Sequence, residues 1–164
     1  MRIALYQPDI PQNTGTILRM AACLDVPVEI IGPTGFDMTD RGLRRAGLDY
    51  LSHVSITRHP SFSQFEDWWH STNSRLLLLS SHGDTAYMEH RFDQDDILLL
   101  GRESAGVPPP IHELADARLV IPMQAGMRSL NIAVASAMVL GEALRQTGGF
   151  THLGPSQLPR ASSA

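Results

Sequence analysis

Arg128, Ser129 and Asn131 stand ahead of a run of small and apolar residues that continues to Leu144. The first N–H groups of a helix lack partners within it, and polar side chains beside them suit a polar ligand. Ser129 and Asn131 are also good N-caps, so an ordinary capped core helix is the competing reading. A second candidate is Gly101-Arg-Glu-Ser-Ala-Gly-Val-Pro108, with two glycines around Glu103 directly after the apolar run Ile97–Leu100. It is neither the G-x-G-x-x-G fingerprint of a dinucleotide site nor a Walker loop. Its carboxylate opposes phosphate binding and suits a ligand that is positive or donates hydrogen bonds, held mainly by backbone groups. Asn13-Thr-Gly15, Ser80-Ser-His-Gly83 and Pro122–Asn131 complete the set of segments expected at strand ends.

Other chemistries are excluded by residue type. All 13 basic residues are arginines, which removes a P-loop lysine, a Schiff-base lysine and a lysine base together. The seven histidines show no ligand spacing, so no metal is expected. Ser129 lacks a His/Asp partner in sequence and no G-x-S-x-G elbow occurs, which argues against a serine hydrolase. Cys23 is alone, so no internal disulfide forms, and its place on an apolar helix face reads as core. A net charge of −4 weakly disfavours a nucleic-acid partner. Arg41, Arg44 and Arg45 nevertheless cluster, and arginine suits bidentate phosphate contacts; solvated surface charge is the alternative. Apolar runs such as Leu76–Leu79 are far too short to cross a bilayer. The N-terminus enters a strand pattern at once, with no leader expected, and a cytoplasmic protein is the reading.

The elements that must position these residues follow from pattern. Strands are expected at Arg2–Tyr6, Pro27–Ile31, Val54–Thr57, Arg75–Ser80, Asp96–Leu100 and Arg118–Pro122. Helices are expected at about Gly15–Leu24, at Thr39–Ala46, from a cap at Ser61 through His70, and at Pro110–Ala115. The last helix, over 127–144, has Leu130, Val134, Ala137, Met138 and Gly141 spaced three and four apart for burial. Its small residues Ala133, Ala135, Ser136, Ala137 and Gly141 require a close neighbour. Such alternation indicates an α/β fold with a parallel sheet and helices on both faces. One domain is expected over 1–147, followed by a flexible tail over 148–164 rich in Gly, Pro and Ser. Ligands of open α/β sheets bind at the strands' carboxyl ends, where the candidate segments fall.

Three segments, taken in order and spacing, carry a family resemblance: Asn13-Thr-Gly-Thr-Ile-Leu-Arg19, Gly101-Arg-Glu-Ser-Ala-Gly-Val-Pro108, and Ile121-Pro-Met…Arg128-Ser-Leu-Asn-Ile132. They resemble the motifs of the SPOUT RNA 2′-O-ribose methyltransferases over about residues 1–147. Pro8-Asp-Ile-Pro-Gln-Asn-Thr-Gly15 and Leu43-Arg-Arg-Ala-Gly-Leu-Asp-Tyr50 are similar to the small single-domain branch that modifies the wobble ribose of tRNA. Thr16 and Ala133 depart from the pattern, where asparagine and serine are common.

The resemblance implies a C-terminal trefoil knot that binds S-adenosylmethionine, a homodimer, and the tRNA anticodon stem-loop as substrate. By the same resemblance, Leu79, Gly101, Ile121, Met123, Ser129 and Leu130 line the cofactor pocket. Arg19 matches the arginine proposed as base in the family. A guanidinium donates and does not accept, so binding of the 2′-oxygen or a neighbouring phosphate is the better chemistry. Asn13 then holds Arg19's loop or the ribose, and Glu103 pairs with Arg19 or another site arginine. Ser129 and Asn131 orient the ribose and the knot loop, and Arg41, Arg44 and Arg45 meet the tRNA. Methylation of another RNA such as ribosomal RNA, and a non-catalytic ligand-binding module, are the alternatives.

Overall fold

The computed structural model describes residues 1–37 and 50–153. The strands are β1 (Arg2–Tyr6), β2 (Val28–Ile31), β3 (Ile56–His59), β4 (Leu76–Leu79), β5 (Thr85–Ala86), β6 (Ile97–Leu100) and β7 (Ala117–Val120). The helices are α1 (Pro11–Cys23), α2 (Phe62–His70), α3 (Pro109–Leu114) and α4 (Ile132–Thr147), with 3-10 turns at Leu51–His53 and Thr151–Leu153. The strands form one sheet in the order β3-β2-β1-β6-β4-β7-β5, and every pairing is parallel.

Side chains alternate across each strand, so the leucine-rich central strands feed two cores. Ile3, Leu5, Leu77, Leu98 and Leu100 face α1 and α4. Ala4, Tyr6, Leu76, Leu78, Ile97 and Leu99 face α2 and α3. Both faces are covered, as expected. Ser61 caps α2, its hydroxyl accepting from the Gln64 N–H, and Phe65 and Trp69 are buried beneath it.

Some expectations change. Helix α1 begins at Pro11, four residues before Gly15, because proline is favourable in the first turn, where an N–H has no partner anyway. Strand β3 lies two residues later than the sequence pattern placed it. Strand β5 was not expected; its two residues are held by pairing with β7. Cys23 is exposed rather than in the core. The buried face of α4 is Ala133, Ser136, Val139, Leu140, Ala143 and Leu144. Leu130, Val134 and Met138, expected to be buried, are 40%, 52% and 39% exposed, and Ala137 is exposed too. The helix carries two apolar stripes; of the small residues expected to need a close neighbour, Ala133 and Ser136 lie on the buried stripe, whereas Ala135 is half-buried, Ala137 is exposed and Gly141 has open space at its Cβ position. The expected helix at Thr39–Ala46 and the arginines 41, 44 and 45 lie outside the described residues, as do 154–164.

Candidate active site at the carboxyl ends of the strands

Strands β1, β6, β4 and β7 are neighbours, and the segments leaving their carboxyl ends surround one cleft of about 840 Å³. The loop after β1 runs to α1 on one face of the sheet, whereas the loop after β6 runs to α3 on the other. Adjacent strands whose connections diverge in this way leave a crevice between them. Leu78, Leu79, Leu100 and Ile121 give it an apolar floor, and Asn13, Glu103, Arg128, Ser129 and Asn131 give it a polar rim.

The 101–106 loop closes on itself. The Arg102 N–H donates to the Gly106 carbonyl at 3.0 Å and the Gly106 N–H returns to the Arg102 carbonyl at 2.7 Å. Gly106 has φ +66, and a Cβ on Gly101 would lie 2.8 Å from the Gly106 carbonyl carbon. Only glycine fits either end of so tight a turn. Glu103 sits at its tip and is half-buried. Its Oε1 accepts from Asn13 Nδ2 at 3.3 Å, and its Oε2 accepts from the Asp9 N–H at 3.2 Å. Burial, and then the Asp9 carboxyl, push the Glu103 carboxyl above the usual range. For Asp9, burial opposes ionisation, but bonding with Glu103, Ser104 and Arg102 outweighs it and holds the carboxyl well below the usual range.

Asn131 links this cluster to α4. Its Oδ1 caps the helix, accepting from the N–H groups of Ala133 at 2.9 Å and Val134 at 3.4 Å. Its Nδ2 donates to Asn13 Oδ1 at 2.9 Å. Glu103, Asn13 and Asn131, each from a different motif, therefore form one hydrogen-bonded line. Asn131 alone is the N-cap; Ser129 lies outside the helix on the cleft wall.

All six residues expected at a cofactor pocket, Leu79, Gly101, Ile121, Met123, Ser129 and Leu130, lie around this cleft. Arg19 does not. It is exposed on α1, with its guanidinium carbon 4.7 Å from the centroid of the Tyr50 ring. The hydrogen bonds of Glu103 go to Asn13 and Asp9, so among the described residues of one chain the expected pair with Arg19 or another site arginine is not formed. Thr16 is benign: its hydroxyl bonds back to the Gln12 carbonyl at 2.9 Å on the exposed side of α1. Asp9, Arg102 and Ser104 were given no role from sequence. The signals were that Asp9 lies within the same proline-flanked segment as Asn13 and that Arg102 and Ser104 flank Glu103 in its motif.

A model of the SpoU rRNA Methylase family matches residues 1–141. The chain belongs to this family. Among SpoU relatives, the tRNA (cytidine(34)-2′-O)-methyltransferase of Beijerinckia indica is 57% identical over 160 residues, covering 98% of this chain and 99% of that protein. The protein of the same name from Escherichia coli K12 is 37% identical over 150 residues, covering 90% and 94%. A solved structure concerned with the 2-OH methylation of C/U34 on tRNA matches with a TM-score of 0.84 and 41% identity, covering 88% of this chain and 94% of that one. The SpoU methyltransferase AviRb of Streptomyces viridochromogenes, in complex with AdoMet, matches with a TM-score of 0.82 and 30% identity. That match covers 89% of this chain and 57% of the longer AviRb chain.

Proposed function

We propose that this chain transfers a methyl group from S-adenosylmethionine to the ribose 2′-OH of the wobble nucleotide of tRNA, position 34, either cytidine or modified uridine. What carries the reading is the meeting of three distant motifs in one cleft through the Glu103–Asn13–Asn131 line, in a chain 57% identical to a tRNA cytidine(34) 2′-O-methyltransferase. Methylation of ribosomal RNA is disfavoured by that relative's full-length coverage.

The cleft suits the cofactor. Its volume is in the range of small-molecule sites, and its apolar floor and polar rim match an adenosyl group joined to a charged amino acid. Leu79, Gly101, Ile121, Met123, Ser129 and Leu130 would hold it. When bound, S-adenosylmethionine supplies an electrophilic methyl on a sulfonium, whose departure as a neutral sulfide needs no Lewis acid. Among the described residues no group of three or more His, Cys, Asp or Glu side chains gathers at a metal-binding distance. The protein's task is then alignment and help for the departing proton. Asn13 and Asn131 fix the lip of the cleft where the ribose enters, and Glu103 fixes Asn13. Arg19 binds the 2′-oxygen or its neighbouring phosphate, and phosphate or water takes the proton.

Arg19 lies off the cleft of its own chain, so the reading includes a homodimer in which a second copy brings Arg19 to the site. The exposed stripe Leu130, Val134 and Met138 is the contact face. Gly141, one turn on, leaves open space where a Cβ would be, which suits a close neighbour. Arg41, Arg44 and Arg45 form the track for the anticodon stem-loop. A C-terminal trefoil knot belongs to the same reading. It is supported by the close passage of Gly83 over β7, where a Cβ would lie 2.6 Å from the Leu119 carbonyl. No helix among the described residues is long and apolar enough to cross a membrane. A tRNA substrate supports a cytoplasmic enzyme in the same reading.

The test is mass spectrometry of nucleosides from tRNA incubated with the protein and deuteromethyl-labelled cofactor. Label confined to the ribose of nucleotide 34 is expected. Label elsewhere, or none with undermodified tRNA, refutes the reading.

A further inference from the structure

Asp9 holds three consecutive residues of the 101–106 loop. Its carboxylate Oδ2 accepts from Arg102 Nε at 3.0 Å and from the Ser104 hydroxyl, and its N–H donates to Glu103. The residues before and after Glu103 are thus tied to one side chain, and Glu103 to the backbone of the same residue. The loop leaving β2 closes over this point. The Gly35 N–H donates to the Pro8 carbonyl at 2.9 Å, and a Cβ on Gly35 would lie 2.8 Å from the Asp9 Cβ. A side chain at position 35 would therefore push Asp9 away from the loop it grips.

We propose that Asp9 is the positioning residue of this site: it fixes the Glu103 carboxylate so that Asn13, and through it Asn131, presents a set geometry to the substrate ribose. The inference rests on the methyl-transfer reading above. Both Glu103 oxygens accept from N–H donors, an arrangement that suits its carboxylate form. The charged and titratable groups around it are Asp9, Arg102 on its own loop, Arg128 on the 121–131 segment, and His82 and His112 at the cleft wall. Burial pushes the Glu103 carboxyl up, and the Asp9 carboxyl pushes it further. Replacing the Asp9 carboxyl removes that contribution, so Glu103 ionises at lower pH.

The experiment compares wild type with Asp9→Asn in the full-length enzyme. Methyl transfer is followed from pH 5 to 9, tRNA affinity by filter binding, and exchange of the Arg102 and Gly106 amides by mass spectrometry. In Asp9→Asn, kcat is expected to fall by about tenfold or more, as for a lost charge-assisted bond that aligns the transition state. The acid limb of the pH–rate profile moves to lower pH, tRNA affinity stays within about twofold, and the loop amides exchange faster. A kcat within about twofold of wild type, or an acid limb that does not move, overturns the proposal. Should Asp9→Asn fold poorly, Arg102→Gln/Ser104→Ala carries the test. It leaves Asp9 in place but releases its carboxylate, and the same loss of kcat is expected; a wild-type kcat there overturns the proposal as well. A wild-type enzyme silent on tRNA while the loop amides of Asp9→Asn exchange faster would sink the methyl-transfer reading. Slow loop exchange in that variant would sink the clamp itself.

Discussion

Replacing Asn131 separates the two tasks of one side chain. Its Oδ1 caps α4, and its Nδ2 reaches Asn13. Asn131→Ala removes both. Losing a cap costs about 1 kcal/mol, within a range of roughly 0.5–2, and the exposed Asn13 bond adds at most about 1 kcal/mol. A kcal/mol lowers the melting temperature of a domain this size by about 2–4 °C, so a total of about 1–2 kcal/mol means that Asn131→Ala should melt about 2–8 °C lower than wild type. Asn131→Asp keeps an oxygen acceptor for the Ala133 and Val134 N–H groups and places a negative charge at the helix's positive end. That charge is worth about 0.3–1 kcal/mol and offsets the lost Asn13 bond. Its melting temperature should stay within about 2 °C of wild type. The aspartate has no donor for Asn13, so the line to Glu103 is cut and kcat should fall about three- to tenfold, as for one uncharged hydrogen bond. Differential scanning calorimetry and single-turnover methyl transfer read the two effects. If Asn131→Asp melts as low as Asn131→Ala, the capping assignment is wrong; if it turns over at the wild-type rate, the Asn131–Asn13 bond has no part in the reaction.

Further outcomes test other parts of the site. Gly101→Ala drives a methyl into the Gly106 backbone, so cofactor affinity measured by calorimetry should fall more than tenfold while far-UV circular dichroism is unchanged. Arg19→Ala should depress kcat more than tRNA binding, whereas Arg44→Ala/Arg45→Ala should weaken tRNA binding and flatten its salt dependence with cofactor affinity preserved. Mixing those two variants should restore one working site per mixed dimer, and no recovery in proven mixed dimers would leave each chain acting alone. EDTA should leave the rate unchanged; loss reversed by a divalent ion with folded tRNA would refute metal-free transfer. Truncation after Gly148 should preserve both melting temperature and rate; a marked loss of either would show that the tail docks on the body.

Where local chemistry decides, the sequence was readable. The Ser61 cap and the Asn131 cap depend on a few neighbouring atoms and were expected from residue type. The central strands were legible because runs such as Ile97–Leu100 are apolar on both faces. Where a distant partner decides, the pattern was silent or misleading. Thr85–Ala86 is a strand only because β7 lies beside it. In α4, periodicity found an apolar stripe but not which stripe turns inward; Val134 and Met138 obey the spacing as well as Val139 and Leu140 do. At the site, the six pocket residues and Asn13, Glu103 and Asn131 were named from the family resemblance, but the bonds that join the last three were not, since Glu103 was expected to pair with an arginine. The grip of Asp9 was not legible either, because nothing in its own segment announces that Arg102 and Ser104 arrive from the far half of the chain.

The sheet order also sets a timetable for folding. Strand β1 pairs with β2 and with β6, and its register with β6 joins Arg2 to Ile97. As the chain leaves the ribosome, β1, β2 and β3 can associate early, but the other edge of β1 waits for more than half of the sequence. The bonds of the site cross the same seam: Asn13 to Glu103 spans 90 residues and Asn131 to Asn13 spans 118. Such long closures slow folding and make the first strand a sticky edge until its partner arrives. They also mean that no N-terminal fragment ending before β6 contains either bond of the site. The cleft is completed late, when β6 inserts between β1 and β4 and α4 packs against α1 and β6, so a nascent chain stalled before that step lacks the complete cofactor cleft.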